Sequence, residues 1–232
     1  MIANKYGMEH LRHRIIMHVE ADWPQSLWQW DRLEAEIRAM RESWHEEHES
    51  PSSGKYIDDH LPEPASAIRL ARECDIPSIL PASFYHLSRL SIHDYRCTPQ
   101  SRTGALDASN KDISNGNRTA EWSILSPDDY ICLLKGRAKL ISIAQDLFNI
   151  GQICNRQHST ATCSLARELT LLADIRDICR QSPDLLETLR RYSEQETFGD
   201  RICSRCSIYI RRELKIFRHT VWVQIPEYFS LS

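Results

Sequence analysis

Apolar residues in this chain recur at three- and four-residue spacing, the signature of one face of an α-helix, and rarely alternate as a half-buried strand would. Met8, Leu11, Ile15 and Val19 form such a stripe over residues 1 to about 20. Trp23-Pro24 ends it, because the residue before a proline is pushed out of helical geometry. Ser26 is placed to cap a second helix carrying Leu27, Trp30, Leu33, Ile37 and Met40, which dissolves into the polar run HEEHESPSSGK. Pro64 suits the first turn of a third helix, where Ile68, Ala71 and Cys74 repeat on one face up to Cys74. Pro77 and Pro81 punctuate the chain, and ASFYHLSRL follows as a short helix. Residues 98 to about 120 are rich in Ser, Thr, Asn, Asp and Gly, which predicts a flexible loop.

The strongest helix start is SPDD at 126 to 129. Ser126 caps, Pro127 occupies the first turn, and Asp128 and Asp129 complement the helix dipole. Ile131, Leu134, Ala138 and Ile141 are expected to continue one buried face towards Phe148. A helix from about Ser164 to Arg180 follows, Pro183 opens another, and a last one runs from the CSRC at 203 to 206 to about Val223, ahead of Pro226. Ile208, Leu214, Phe217 and Val221 are its expected core face. The sum is an all-α fold, an irregular array of antiparallel helical hairpins. It divides into a helical segment over 1–97, the loop over 98–120 and a C-terminal helical lobe over 121–232.

Composition narrows the class without naming a reaction. At 232 residues, with 41% hydrophobic and 26% charged residues, the chain can bury a real core as an ordinary soluble globule. A net charge of −3 gives no general case for nucleic acid or an anionic membrane. No apolar run reaches the roughly 18 residues of a membrane span, and MIANKYGMEHLRHRII has no apolar core of a secretory signal. Eight cysteines in a chain expected in the cytoplasm or nucleus read as reduced thiols or metal ligands before disulfides.

Four of those cysteines have an arrangement worth chemistry. Cys203 and Cys206 form a C-x2-C knuckle, and Cys154 and Cys163 form a looser pair with eight residues between them. Four converging thiolates suit a closed tetrahedral structural zinc. The knuckle enters a helix whose first N–H groups favour negative sulfur, with Arg201 and Arg205 alongside. His158 could replace one of the first pair. Four packed, reduced cysteines and a redox pair are the alternatives, the last without the βαβ setting that supports it. Cys74, Cys132 and Cys179 fall on or beside apolar stripes as core residues, and Cys97 borders the loop.

No catalytic signature accompanies them. His45 and His48 stand three apart, not the four of a zinc-protease helix. Gly54-Lys55 is preceded by Glu49 where a phosphate loop has Gly and is followed by Tyr56 where Mg²⁺ needs a hydroxyl. Asp58, Asp59 and His60 read as a polar turn. The last helix carries Arg201, Arg205, Arg211, Arg212, Lys215 and Arg218, a conceivable nucleic-acid footprint or the solvated side of an amphipathic helix. Trp23, Trp28, Trp30 and Trp44 crowd the first 44 residues, and any left exposed would mark a partner site.

Several segments together resemble a known family. They are Asn4-Lys5-Tyr6-Gly7-Met8-Glu9-His10-Leu11-Arg12 running into DWPQSLWQWD, AIRLARECDIPSILPASFYHL at 67 to 87, LSPDDYICLLKGR at 125 to 137, the paired cysteines, and VWVQIPEYFSL at 221 to 231. In order and spacing they are similar to the helical region that follows the BTB/POZ fold in fungal BTB domain-containing proteins, loosely BACK-like. The chain opens at the final helices of that fold, so its β-sheet and dimer-forming surface are expected to be absent. The resemblance implies a non-enzymatic protein-interaction module, serving as adaptor, scaffold or regulator, with no small-molecule substrate. A zinc-stabilised nucleic-acid-binding regulator is the alternative; it requires the basic residues of the last helix to form one contiguous exposed stripe. A hydrolase would require His45 or His60 to meet an Asp or Cys in a cleft.

Overall fold

A computed structural model describes residues 9–47, 61–93, 119–147, 165–199 and 202–231. These form eight α-helices and, among the described residues, no strand-built sheet: α1 (Glu9–Asp22), α2 (Leu27–Glu47), α3 (Pro64–Cys74), α4 (Leu80–Ser88), α5 (Pro127–Asp146), α6 (Leu165–Gln181), α7 (Leu185–Glu194) and α8 (Ser204–Tyr228). Single 3₁₀ turns at Pro77–Ile79 and Trp122–Ile124 precede α4 and α5. The all-α expectation is met.

The chain divides into two compact units, Met1–Leu133 with Leu231–Ser232, and Leu134–Ser230. The division falls inside α5, later than the polar stretch at 98–120. Residues just after that stretch already belong to the first core: Thr119, Ala120 and Trp122 are buried there, and the Glu121 amide donates to Glu63 Oε1 at 3.1 Å. Residues 98–118 themselves lie outside the described set.

The first unit is built around α4. Leu80, Ala82, Ser83, Phe84, Tyr85, His86, Leu87 and Ser88 are all buried. A helix apolar on every side belongs inside a core, not on its surface. Its hydroxyls are satisfied locally: Ser83 Oγ donates to Ile79 O at 2.9 Å and Ser88 Oγ to Tyr85 O at 2.7 Å. Helix α3 packs on it through Ala65, Ile68 and Ala71. Glu63 caps α3 by accepting from Ala65 N and Ser66 N, and Asp75, in the left-handed region at φ 56°, ends it. Helix α2 starts on a reciprocal cap: Ser26 Oγ accepts from Gln29 N at 3.2 Å, and Gln29 Oε1 accepts from Ser26 N at 3.0 Å. It sends in Trp30 and Ile37, while Met40 stays exposed.

Helix α1 departs from expectation. None of its residues is buried, and the apolar stripe points outward, with Leu11 and Ile15 exposed. Its attachments are polar and lie a step round the helix: an Arg12 guanidinium nitrogen donates to Cys74 O at 3.1 Å, and Glu20 Oε1 accepts from Ser78 Oγ at 2.6 Å. Met8 lies outside the described residues.

Helix α5 is also rotated from the predicted face. Ile131, Leu134 (64% exposed), Ala138 and Ile141 face water, and Leu133, Gly136, Leu140, Ala144 and Leu147 are buried. The glycine conceals the true stripe: Phe229 lies against Gly136 where a side chain would otherwise stand. Within the second unit, α8 packs along α7, which contributes Leu185, Leu186 and Leu189, against Ile210, Leu214, Val221 and Ile225. Helix α8 does not stop at Val223. It runs through Pro226, because a proline in the last turn removes only one donor, and Phe229 N donates to Ile225 O at 3.1 Å beyond it. Ser230, at φ 53°, closes the end.

Candidate functional site

The cysteine knuckle stands where the spacing predicts. Cys203 is the N-cap of α8, extended at φ −72° and ψ 161°, and half-buried; Cys206 lies one turn in and is buried. Two thiols are two short of a closed structural zinc site. Among the described residues no group of three or more His, Cys, Asp or Glu is placed to hold a metal ion. Cys154, Cys163 and His158 lie outside the described residues, as do Cys97, His48, Gly54, Lys55, Asp58, Asp59 and His60. The side chains of Trp44 and His45 are likewise not described.

The other described cysteines are buried or half-buried. Cys179 is buried, and burial pushes its thiol up to about 12, against a smaller lowering by the Arg191 charge. Such a thiol stays protonated at neutral pH and is a poor nucleophile. Cys74 and Cys132 are half-buried.

The basic residues of α8 do not form one stripe. Arg218 is buried, and its Nε donates to Leu186 O at 2.8 Å, tying α8 to α7. Arg211 is half-buried; Arg205, Arg212 and Lys215 are exposed; Arg201 lies outside the described residues. Ile208, expected in the core, is exposed between them. At about 100° per residue, Arg218 lies roughly 140° round the helix from Arg205, on the side that packs against α7.

A groove of about 490 Å³ runs between α6, α7 and the segment after α7. Leu171, Ile175 and Phe198 floor it and Asp174, Asp177 and Tyr192 edge it, with no histidine or cysteine in the lining. It therefore offers carboxylates without a partner base or thiol for nucleophilic chemistry.

The first unit holds a polar cluster that hydrophobic periodicity did not single out. The Arg89 guanidinium sits 4.7 Å from the Trp30 ring centroid and 5.8 Å from that of Tyr85. One of its terminal nitrogens is 2.8 Å from Glu34 Oε1 and 2.8 Å from His86 Nδ1. Trp30 meets Tyr85 edge-on at 5.2 Å. One hint was in the sequence: Arg89 directly follows a mostly apolar segment, where a cation withdrawn from water needs a counter-charge. The cluster ties α2 to the end of α4.

Large apolar side chains also stand at the surface of the first unit. Leu11, Ile15 and Met17 project from α1, and Trp28, 69% exposed, stands at the start of α2. An indole this open is unusual, since tryptophan ordinarily buries most of its area. No helix of the described residues is long and apolar enough to cross a membrane. No protein-family model matches the chain, and no curated protein or solved structure matches it either.

Proposed function

We propose that the chain is a non-enzymatic protein–protein interaction module, an adaptor, scaffold or regulator of the cytoplasm or nucleus, of the kind that follows the BTB fold in fungal BTB domain-containing proteins. The observation that carries the proposal is the set of exposed apolar side chains in the first unit: helix α1, with no buried residue, exposes Leu11 and Ile15 on one side and Met17 on another, and Trp28 stands open at the start of α2. Exposed apolar patches of this kind mark partner sites. The partner is a protein surface, and in the family the chain resembles a BTB fold is the first candidate.

The test is binding of a purified fungal BTB domain to the chain, followed by calorimetry. Ile15→Asp and Trp28→Asp should each weaken binding at least about tenfold, roughly 1.4 kcal/mol, without altering helical content. Absence of binding, or binding indifferent to both substitutions, overturns the assignment.

A structural zinc on Cys154, Cys163, Cys203 and Cys206 belongs to the same proposal, supported by the placement of Cys203 and Cys206 one turn apart at the entry to α8. It would pin that entry to the segment carrying the other pair. Metal analysis of the reduced protein should find one zinc per chain, lost with Cys203→Ser; a metal-free folded protein removes it. The nucleic-acid alternative loses its main requirement with the burial of Arg218.

A further inference from the structure

The outward face of α8 has a regular order that neither the core nor the proposed partner surface uses. Tyr209, Ile216 and Val223 are spaced seven residues apart, and Arg205 and Arg212 share the same spacing, offset by three or four. All five are exposed, Val223 at 59%, with Ile208 at 58% and Lys215 along one edge. Seven-residue spacing keeps side chains on one line along a helix, as in a coiled-coil seam. The opposite side of α8 is held by α7, so this face is fixed before any partner arrives.

Three occupants could meet a surface that is both apolar and cationic. A bilayer takes up helices whose apolar side chains are segregated beneath their charges. Here Arg205, Arg212 and Lys215 stand among Ile208, Tyr209 and Ile216 on the same face, so insertion would drag Arg205 and Arg212 below the headgroups. A nucleic acid would pair with the cations and leave Ile208, Ile216 and Val223 in water. A protein helix with apolar residues on one line and carboxylates between them satisfies both sets at once. Glu213, half-buried on the far edge, is the acidic side chain on this stretch of the helix and leaves the net charge of the face positive.

We infer that this face of α8 docks one amphipathic acidic helix of a protein partner. The partner presents apolar side chains at seven-residue spacing against Tyr209, Ile216 and Val223, and Asp or Glu against Arg205 and Arg212. From Arg205 to Val223 the seam is roughly 27 Å long, so about five turns of partner helix are required.

The experiment uses the full chain and a synthetic 21-residue helix with Leu at every seventh position and Glu between, followed by fluorescence anisotropy. A Lys-for-Glu version of the same helix, phosphatidylserine vesicles and duplex DNA are the other arms. The Glu helix should bind and the Lys helix should not. Arg212→Glu and Ile216→Asp should each weaken binding by roughly tenfold, and Arg212→Glu should gain affinity for the Lys helix. No binding of the Glu helix up to about 1 mM, equal binding by both helices, preference for vesicles or DNA, or self-association of the chain that Ile216→Asp abolishes, overturns the inference. Loss of BTB-domain binding in the Trp28 variant leaves these results untouched, because Trp28 lies in the other unit.

Discussion

Phe229 lies directly against Gly136, so that a Cβ at position 136 would overlap its ring. Alanine is the better helix former by about 1 kcal/mol, which ordinarily makes Gly→Ala inside a helix stabilising. At this site the sign reverses. Gly136→Ala should destabilise the second unit by about 1–3 kcal/mol through forced displacement of the ring. Chemical denaturation checks it, and Phe229→Leu in the same background should recover part of the loss.

Arg89 should be the most costly surface-adjacent cation to remove. Its pair with Glu34 is mostly buried, and two aromatic rings flank it. Arg89→Ala leaves Glu34 without this cation, and the expected loss is about 2–4 kcal/mol. Arg89→Lys keeps the charge but loses the planar contact with Trp30, so it should recover only part of that figure. Thermal unfolding of the three proteins gives the order.

Asp129 closes the start of α5. Its Oδ2 accepts from Ser126 N at 3.1 Å and from Ser126 Oγ at 2.6 Å, while Ser126 Oγ accepts from Asp129 N at 3.2 Å. Arg72 approaches Oδ1 at 3.4 Å. Asp129→Ala removes a reciprocal cap and should cost about 1–2 kcal/mol. Asp129→Asn, which keeps an acceptor, should cost less in the same denaturation assay.

Alkaline pH should weaken the fold through Cys179. Its thiol is raised from 9.0 to about 12 by burial, so between those values the unfolded chain releases a proton that the folded chain keeps. Stability from this group is complete below about pH 9 and falls as pH rises towards 12. Tyr228, raised from 10.0 to about 12 by burial and by the Glu227 charge, adds to the fall from about pH 10. Melting temperature measured from pH 8 to 11 should decline less steeply in Cys179→Ala. In the folded protein Cys179 should also resist alkylation at pH 8.

Helix positions were legible where capping chemistry announced them. Ser26, Pro64 and the Ser126–Asp129 box start helices where their side chains predict, because a cap acts on neighbours within one turn. Faces were legible only where strongly apolar residues and the buried side coincide, as with Trp30 and Ile37 or Ile68 and Ala71. They failed in α5, where the buried line passes through Gly136, and in α1, where Leu11 and Ile15 point to water while Arg12 and Glu20 make the attachments. Periodicity reports which residues share a face, not what covers it. Of the four-cysteine site, Cys203 and Cys206 are placed as their spacing predicts, since both belong to one helix start. Whether a second pair joins them is set by chain reversal, which spacing does not encode.

The nine residues of α4 are too few to hold a helix in water, where a dozen or more are needed even for good formers. This segment therefore gains its shape only when α2 and α3 close over it. Its backbone amides should be among the slowest in the first unit to exchange with deuterated solvent, at a rate set by opening of the whole unit. The exchange half-life of Phe84 and Tyr85 would then serve as a direct reading of that unit's cooperativity.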